Sequence, residues 1–321
     1  MRALLRWVQP LLAVAAAVSI IAYLASQWPD LRSHQWHLSA RWLAAAAVLL
    51  LASWAVEIQL WRALMRSLGG HIAYVPAARI WFLSAVVRYV PGNIWQPLSM
   101  TLYGQRLGIR PEVTVTSVAL YQLVILLAAG PLAALYFWLT GNWGLLTQTV
   151  GRASTPLLLL ALFPALLFIL WPGLLLRLLN WMLARVGRPA LEQGLGRLSL
   201  LGMLLIAAFD WLLWGLTFAT LTWAINDYTQ AEMINLAPHL VASYAIAYSI
   251  GFLSLITPSG FGVREGALYL LLATVMPGTV VTVAALAMRV WTMLGEVIMA
   301  LLAAAVGDGR RAEVSPESIV P

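Results

Sequence analysis

Arg264 and Glu265 stand side by side in the decapeptide Thr257-Pro258-Ser259-Gly260-Phe261-Gly262-Val263-Arg264-Glu265-Gly266, between two long apolar runs. A guanidinium offers planar, forked donors that match phosphate or carboxylate, and a neighbouring carboxylate can set its charge and orientation. Pro258, Gly260 and Gly262 cannot continue a helix, so the backbone must open here. A second interruption, Arg88-Tyr89-Val90-Pro91-Gly92-Asn93, repeats the ingredients. Each break should start a new half-helix whose first N–H groups are free and whose positive dipole end faces the opening, a ready anion site. Asn93 is placed to cap the half-helix after the first break. Two further ionisable residues, Arg289 and Glu296, sit seven apart and share a helix face. The candidate site is therefore Arg88, Pro91, Gly92, Asn93, Pro258, Gly260, Gly262, Arg264, Glu265, Arg289 and Glu296. The rival role for these charges is an internal ion-pair lock between helices. Glu265, Glu296 and Asp210 are the candidate partners for the arginines.

Such charges need explaining because of what surrounds them. The chain is 62% hydrophobic and 10% charged, with a mean hydropathy of +0.86, the composition of an all-α, polytopic integral membrane protein. An arginine at the centre of a membrane helix costs about 2.5–3.5 kcal/mol, so several together require a wet cavity or partners. Opened backbone at membrane depth likewise persists only where it lines a cavity or is buried in protein. Cys is absent and all 19 basic residues are arginine, which removes thiolate chemistry and the lysine of a phosphate-binding loop. The net charge of +7 comes from arginines scattered through short connections, the pattern of positive-inside orientation and not of nucleic-acid binding. No cofactor is expected. His34 and His37 lack a third ligand nearby and read as link residues.

In chain order, the run from Trp7 to Gln27 exceeds a cleaved signal's apolar core and reads as an uncleaved first span. Trp42 to Leu60 is the second, with Glu57 near its end, either to snorkel or pair with Arg62 or to serve a functional role. Pro76 to Val90 is too short to cross, and Asn93 to Leu107 returns, so the pair reads as a hairpin entering from the cytoplasm. Glu112 to Leu139 and Thr155 to Pro172 read as spans. Leu175 to Leu198, rich in arginine, reads as a cytoplasmic connection that is in part a surface helix. Ser199 to Trp223 crosses with Asp210 near its middle, and Trp211, Trp214 and Trp223 read as packing and interfacial anchors. From Pro238 the chain re-enters from outside, reaches the decapeptide, and continues helically from Val263 to Met276, as a second hairpin or, alternatively, as two ordinary spans meeting near the inner face. Thr279 to Val306 is the last span. The order span, hairpin, span occurs twice, over about 42–139 and 199–306, with the hairpins opening to opposite sides. That is an inverted-topology repeat with broken helices meeting near the midplane. It forms one membrane domain over 1–308, followed by a polar tail over 309–321, with both termini expected in the cytoplasm.

The run Pro258 to Gly266, with Arg88-Tyr89-Val90-Pro91-Gly92, resembles the flippase-like family that includes the transmembrane domain of lysylphosphatidylglycerol synthase (MprF) and the YbhN-type proteins. The resemblance extends over about 42–306. It implies an integral inner-membrane protein that moves lipids or lipid-linked precursors between leaflets, using Pro91, Gly92, Gly260, Gly262, Arg264 and Glu265. Ser259 stands where many relatives have glycine. No aminoacyl-transfer domain is expected after Asp308, so lysylphosphatidylglycerol synthesis is not expected of this chain. The expected activity is that of a flippase or scramblase and not of an enzyme. Arg88 and Arg264 would hold the phosphate of an anionic phospholipid or a polyprenyl-phosphate-linked precursor, and Glu265 and Glu296 would orient them. A separate lipid-modifying or glycosyltransferase enzyme would be its partner. The alternatives are a secondary transporter of small solutes or ions, and a membrane-embedded glycosyltransferase, for which Asp30, Asp227 and Glu232 are isolated candidates.

Overall fold

A computed structural model describes residues 37–89, 94–141, 171–185, 196–253 and 260–305, with positions 25, 28, 32, 163, 167, 168 and 170 besides. The readings placed on His34, Asp30, Pro91, Gly92, Asn93, Pro258 and the tail lie outside the described residues, as do most positions of Trp7–Gln27 and of the span Thr155 to Pro172. All regular structure among the described residues is helical. The elements are α1 (Ala40–Ser67), α2 (Tyr74–Ala85), a 3-10 turn (Val86–Tyr89), α3 (Trp95–Arg106), α4 (Pro111–Thr140), α5 (Pro172–Arg185), α6 (Arg197–Ile225), α7 (Gln230–Leu253), α8 (Val263–Leu272) and α9 (Gly278–Ala305). Five of them, α1, α4, α6, α7 and α9, are long and apolar enough to cross a membrane.

Helix α6 shows how the sequence divides inside from outside. Leu201, Leu205, Phe209, Leu212 and Leu216 are exposed and recur at helical spacing, whereas Ala207, Asp210, Trp211, Trp214 and Thr217 are buried. The apolar stripe suits lipid and the polar residues point inward, where protein partners replace water. Helix α1 is built the same way, with Val48 and Leu51 outward and Ser53, Glu57 and Trp61 inward. Threonines on α6 hide their hydroxyls by donating back one turn, Thr217 to Leu213 O at 2.8 Å and Thr222 to Phe218 O at 2.8 Å.

The packing has a permutation symmetry that agrees with the repeated order of elements. Exchanging α1 with α6, α2 with α7, α3 with α8 and α4 with α9 maps the helix contacts onto one another. Thus α2 packs on α3 as α7 packs on α8, α3 on α4 as α8 on α9, and α2 on α9 as α7 on α4. The α1–α6 contact maps onto itself and forms the seam between halves. The exception is the extensive α4–α6 contact, whose counterpart, α1 on α9, is slight and lies where Gly295 approaches Trp54 and Leu50.

Boundaries differ from expectation at four places. Helix α2 ends at Ala85 and tightens into the 3-10 turn before the break, because the chain must aim Arg88 and Tyr89 inward. Helix α3 begins at Trp95 with Ile94 at its N-cap position, one residue later than the cap expected from the sequence. The second hairpin's first arm starts at Gln230, and Pro238 falls inside α7. A proline there is tolerated because a membrane helix has neighbours to re-satisfy the freed carbonyl. Helix α8 stops at Leu272, not Met276, and its 10 residues extend only about 15 Å. The second hairpin therefore joins a full-length helix to a half-helix.

Close approach at the α6–α7 contact depends on Gly215. A Cβ at this position would lie 2.6 Å from Val241 O and 2.7 Å from Val241 Cα, both backbone atoms. Gly202, on the same helix, has nothing within 4 Å of such a Cβ. Gly215→Ala should lower stability by about 1–3 kcal/mol through overpacking, whereas Gly202→Ala should be neutral or stabilising by up to about 1 kcal/mol. Thermal unfolding of the two variants in detergent micelles measures the contrast.

Candidate functional site

The two breaks converge on one hollow. It has an empty volume of ≈ 950 Å³, measured out to its open mouth, and its walls combine the 3-10 turn, α1, α3, α4, α6, α7, α8 and α9. Arg88, Arg264, Arg289, Glu57 and Glu296 all line it, with Gly260 of the second break. Gln96, Gln122, Tyr244 and Tyr248 supply further polar groups.

Helix α9 fastens both breaks. Arg88 Nη1 lies 3.1 Å from Glu296 Oε1, and the neighbouring Tyr89 donates its hydroxyl to Glu296 Oε2 at 2.8 Å. Two turns earlier on α9, Arg289 meets Glu265 of α8, with Nη2 and Nε at 2.6 and 2.7 Å from Oε1. The Arg289 guanidinium also covers Phe261, 4.2 Å from the ring centroid. Tyr89, Trp95, Phe261 and Met293 close one apolar cluster between the breaks. The ion pairs are thus crossed between elements: α9 gives a base to one break and an acid to the other.

The same geometry explains the glycines. Gly260 has φ +69° and Gly262 φ +78°, left-handed conformations that L side chains rarely adopt. A Cβ on Gly260 would also sit 3.0 Å from Gly251 Cα, so the break packs backbone to backbone on α7. Gly262 donates its N–H to Glu265 Oε2 at 2.8 Å. The protein's own carboxylate therefore occupies part of the α8 N-terminus that the sequence offered to an anion. This single glutamate caps the helix with one oxygen and binds Arg289 with the other.

Arg264 stands apart. Among the described residues it has no ion-pair partner. Its guanidinium instead lies over two tyrosines one turn apart on α7, 4.3 Å from the Tyr244 centroid and 5.0 Å from that of Tyr248. Ring faces hold a cation without neutralising it. Arg264 thus presents a full positive charge to the hollow, set by aromatic walls.

Several assignments change accordingly. Arg264 and Glu265, adjacent in sequence, point to different partners because successive helical residues diverge by about 100°. Among the described residues Asp210 pairs with no arginine: Ser53 donates its hydroxyl to Asp210 Oδ1 at 2.6 Å. Glu57 neither snorkels nor meets Arg62, whose Nε is used by Ile72 O at 3.0 Å. Glu57 faces the hollow, where Trp214 Nε1 donates to its Oε1 at 3.1 Å. Trp214 therefore lines the site as well as packing, whereas Trp211 bonds Ile125 O at 2.9 Å and Trp223 stacks edgewise on Trp42. Tyr244 and Tyr248 had not been singled out. The signal available was two tyrosines at a one-turn interval inside an apolar run. Nothing in the sequence marked Gln122 apart from its amide in such a run.

Residues 11–300 match the model of the lysylphosphatidylglycerol synthase TM region. The chain belongs to that family. No curated protein matches it. The family match spans both breaks and every described residue that lines the hollow. The protein is thus a membrane protein of the lysylphosphatidylglycerol synthase TM family, related to lipid-modifying and flippase-like proteins.

The Arg289–Glu265 pair is mostly buried, at 6% and 14% side-chain exposure. Removing one partner strands a charge, so Arg289→Leu or Glu265→Leu alone should cost about 3–5 kcal/mol. The double replacement should cost less than either single change, since no charge is left unpaired. A double-mutant cycle on unfolding in micelles gives the sign and size of that interaction.

Proposed function

We propose that the protein is a lipid carrier of the inner membrane, in which a phosphate-bearing head group passes through the hollow while its acyl or prenyl chains stay in lipid. The observation that carries this reading is Arg264, a cation held by two rings and facing a polar hollow with no carboxylate bound to it. A phosphate oxygen supplies the missing acceptor. Arg88 and Arg289, each already paired with a glutamate, shape the hollow and hold its breaks open without adding net charge. Gln96 and Gln122 supply neutral donors for the head group's other oxygens.

The substrate class that fits is an anionic phospholipid or a polyprenyl-phosphate-linked precursor. The family relationship supports a lipid over a small soluble solute, and the exposed leucines of α6 and α9 provide a surface along which the tails travel. A separate lipid-modifying or glycosyltransferase enzyme supplies or consumes the lipid, and the chain itself carries and does not catalyse. Positive-inside placement of the arginines orients both termini to the cytoplasm.

Arg264→Gln keeps a polar side chain and breaks no ion pair, so the unfolding temperature should stay near wild type. Losing one charge-assisted hydrogen bond of about 1.5–3 kcal/mol should slow translocation of a fluorescent phosphatidylglycerol in proteoliposomes by about 10- to 100-fold. Leaflet exchange at the wild-type rate in this variant would refute the role given to Arg264. Uptake of a soluble phosphate ester into the same vesicles would instead favour a small-solute transporter.

A further inference from the structure

Two carboxylates at the seam between halves take no part in the ion pairs described above. Ser53 and Glu57 lie one turn apart on α1, and Asp210 and Trp214 lie one turn apart on α6. They meet as two successive rungs: Ser53 Oγ donates to Asp210 Oδ1 at 2.6 Å, and Trp214 Nε1 donates to Glu57 Oε1 at 3.1 Å. Asp210 is 1% exposed and Glu57 9%. Glu265 and Glu296 each have an arginine within 3.1 Å. Among the described residues neither Glu57 nor Asp210 has one within ion-pair distance.

The surroundings offer these two acids little to offset a second negative charge. From α4, Tyr121 approaches Glu57. From α7, Tyr248 lies within electrostatic range of both carboxylates. Arg88 is the cation that acts on Glu57, but its guanidinium is bound to Glu296, whose own charge opposes it. Asp210 accepts from Ser53 and Glu57 from Trp214, with the Tyr121 hydroxyl also in hydrogen-bonding reach of Glu57; all three donors are neutral, and none brings a countercharge. Two carboxyls buried on facing membrane helices, with no cation bound to either among the described residues, are a natural place for a proton to bind. Their access differs. Glu57 lines the hollow and Asp210 does not, so the hollow reaches the pair through Glu57.

We propose that Glu57 and Asp210 form a proton-binding site that exchanges one proton with the hollow and couples head-group passage to proton movement. The coupling rests on the carrier reading given above, whereas the proton site stands on the α1–α6 geometry alone. The step is a transfer between oxygens: one O–H bond breaks on a hydronium or water donor in the hollow and one forms on a carboxylate oxygen. An anion on Arg264 shares the hollow with Glu57, and the two charges repel. Anion binding therefore favours uptake of the proton, and by reciprocity the proton favours the anion. The pair thereby turns a proton gradient into a bias on an anionic head group. Its position on the self-mapping seam between the repeats makes it sensitive to any relative movement of the two halves.

Infrared difference spectra of the purified protein in nanodiscs, taken across a pH titration in H₂O and D₂O, test the site directly. The wild type should show one titrating carbonyl stretch of a protonated carboxylic acid that shifts in D₂O. Asp210→Asn and Glu57→Gln should each remove it, and Ser53→Ala should move it in frequency while leaving it present. A wild-type spectrum without that band, or a band unchanged in both carboxamide variants, overturns the proton site. Adding short-chain phosphatidylglycerol to weakly buffered wild-type protein should draw protons from solution, and Asp210→Asn should draw none. In proteoliposomes an imposed pH gradient should change the wild-type rate of fluorescent phosphatidylglycerol translocation. In Asp210→Asn the rates with and without the gradient should be equal. Wild-type translocation indifferent to the gradient overturns the coupling. Absence of any translocation defeats the carrier reading, while the infrared band still decides the proton site.

Discussion

Two ion pairs on one face of α9 determine the arrangement of the rest of the site. Arg289 and Glu296 are seven residues apart, roughly 10 Å along the axis, and each is paired with a residue from a different break. Interrupted helices in a bilayer leave N–H and carbonyl groups without partners, so something must hold the opened backbone against protein. Here the holding is electrostatic as well as steric. Because α9 donates a base to the second break and an acid to the first, the two breaks are kept near each other and their charges cancel. The three arginines that line the hollow thus leave a single unneutralised one.

This division of labour reconciles two roles that the sequence sets in opposition, site and lock. Arg88, Arg289, Glu265 and Glu296 form the lock. Arg264, supported by Tyr244 and Tyr248, is the group that the proposed function gives to a ligand. Neither arrangement is independent of the other, since Glu265 closes the α8 N-terminus and ties α8 to α9 with the same carboxylate. The close backbone contact of Gly260 on Gly251 then fixes the position from which Arg264 enters. Across the bundle, the α1–α6 seam carries two further acids, Glu57 and Asp210, of which Glu57 faces the same hollow as Arg264.

Much of the architecture is legible in the sequence because it follows from local rules. Apolar run length gives α1, α4, α6 and α9, proline and glycine give both breaks, and the repeated order of elements anticipates the exchange symmetry of the packing. The start of α7 is not legible in this way, because Pro238 reads as a boundary, whereas in the fold the neighbours of α7 accommodate it. The break residues Gly260 and Gly262 and the charged candidates Arg88, Arg264, Glu265, Arg289 and Glu296 could be named from type and setting. Their pairing could not, since it depends on which faces of α8, α9 and the 3-10 turn meet. Chain adjacency suggested that Arg264 and Glu265 act together, and helix geometry separates them. Glu57 and Asp210 were visible as acids in apolar runs, but their convergence is a property of the α1–α6 contact, far apart in sequence.

The central claim is that the breaks, pinned by their two ion pairs, leave Arg264 as the cation that receives a lipid phosphate. A high-resolution electron cryomicroscopy map of the protein in nanodiscs containing phosphatidylglycerol tests it most directly. The account requires head-group density inside the hollow, with a phosphate oxygen within hydrogen-bond distance of Arg264 and both pairs on α9 intact. A map in which Arg264 instead binds a carboxylate of the protein, with lipid density confined to the outer surface of the helices, would contradict it.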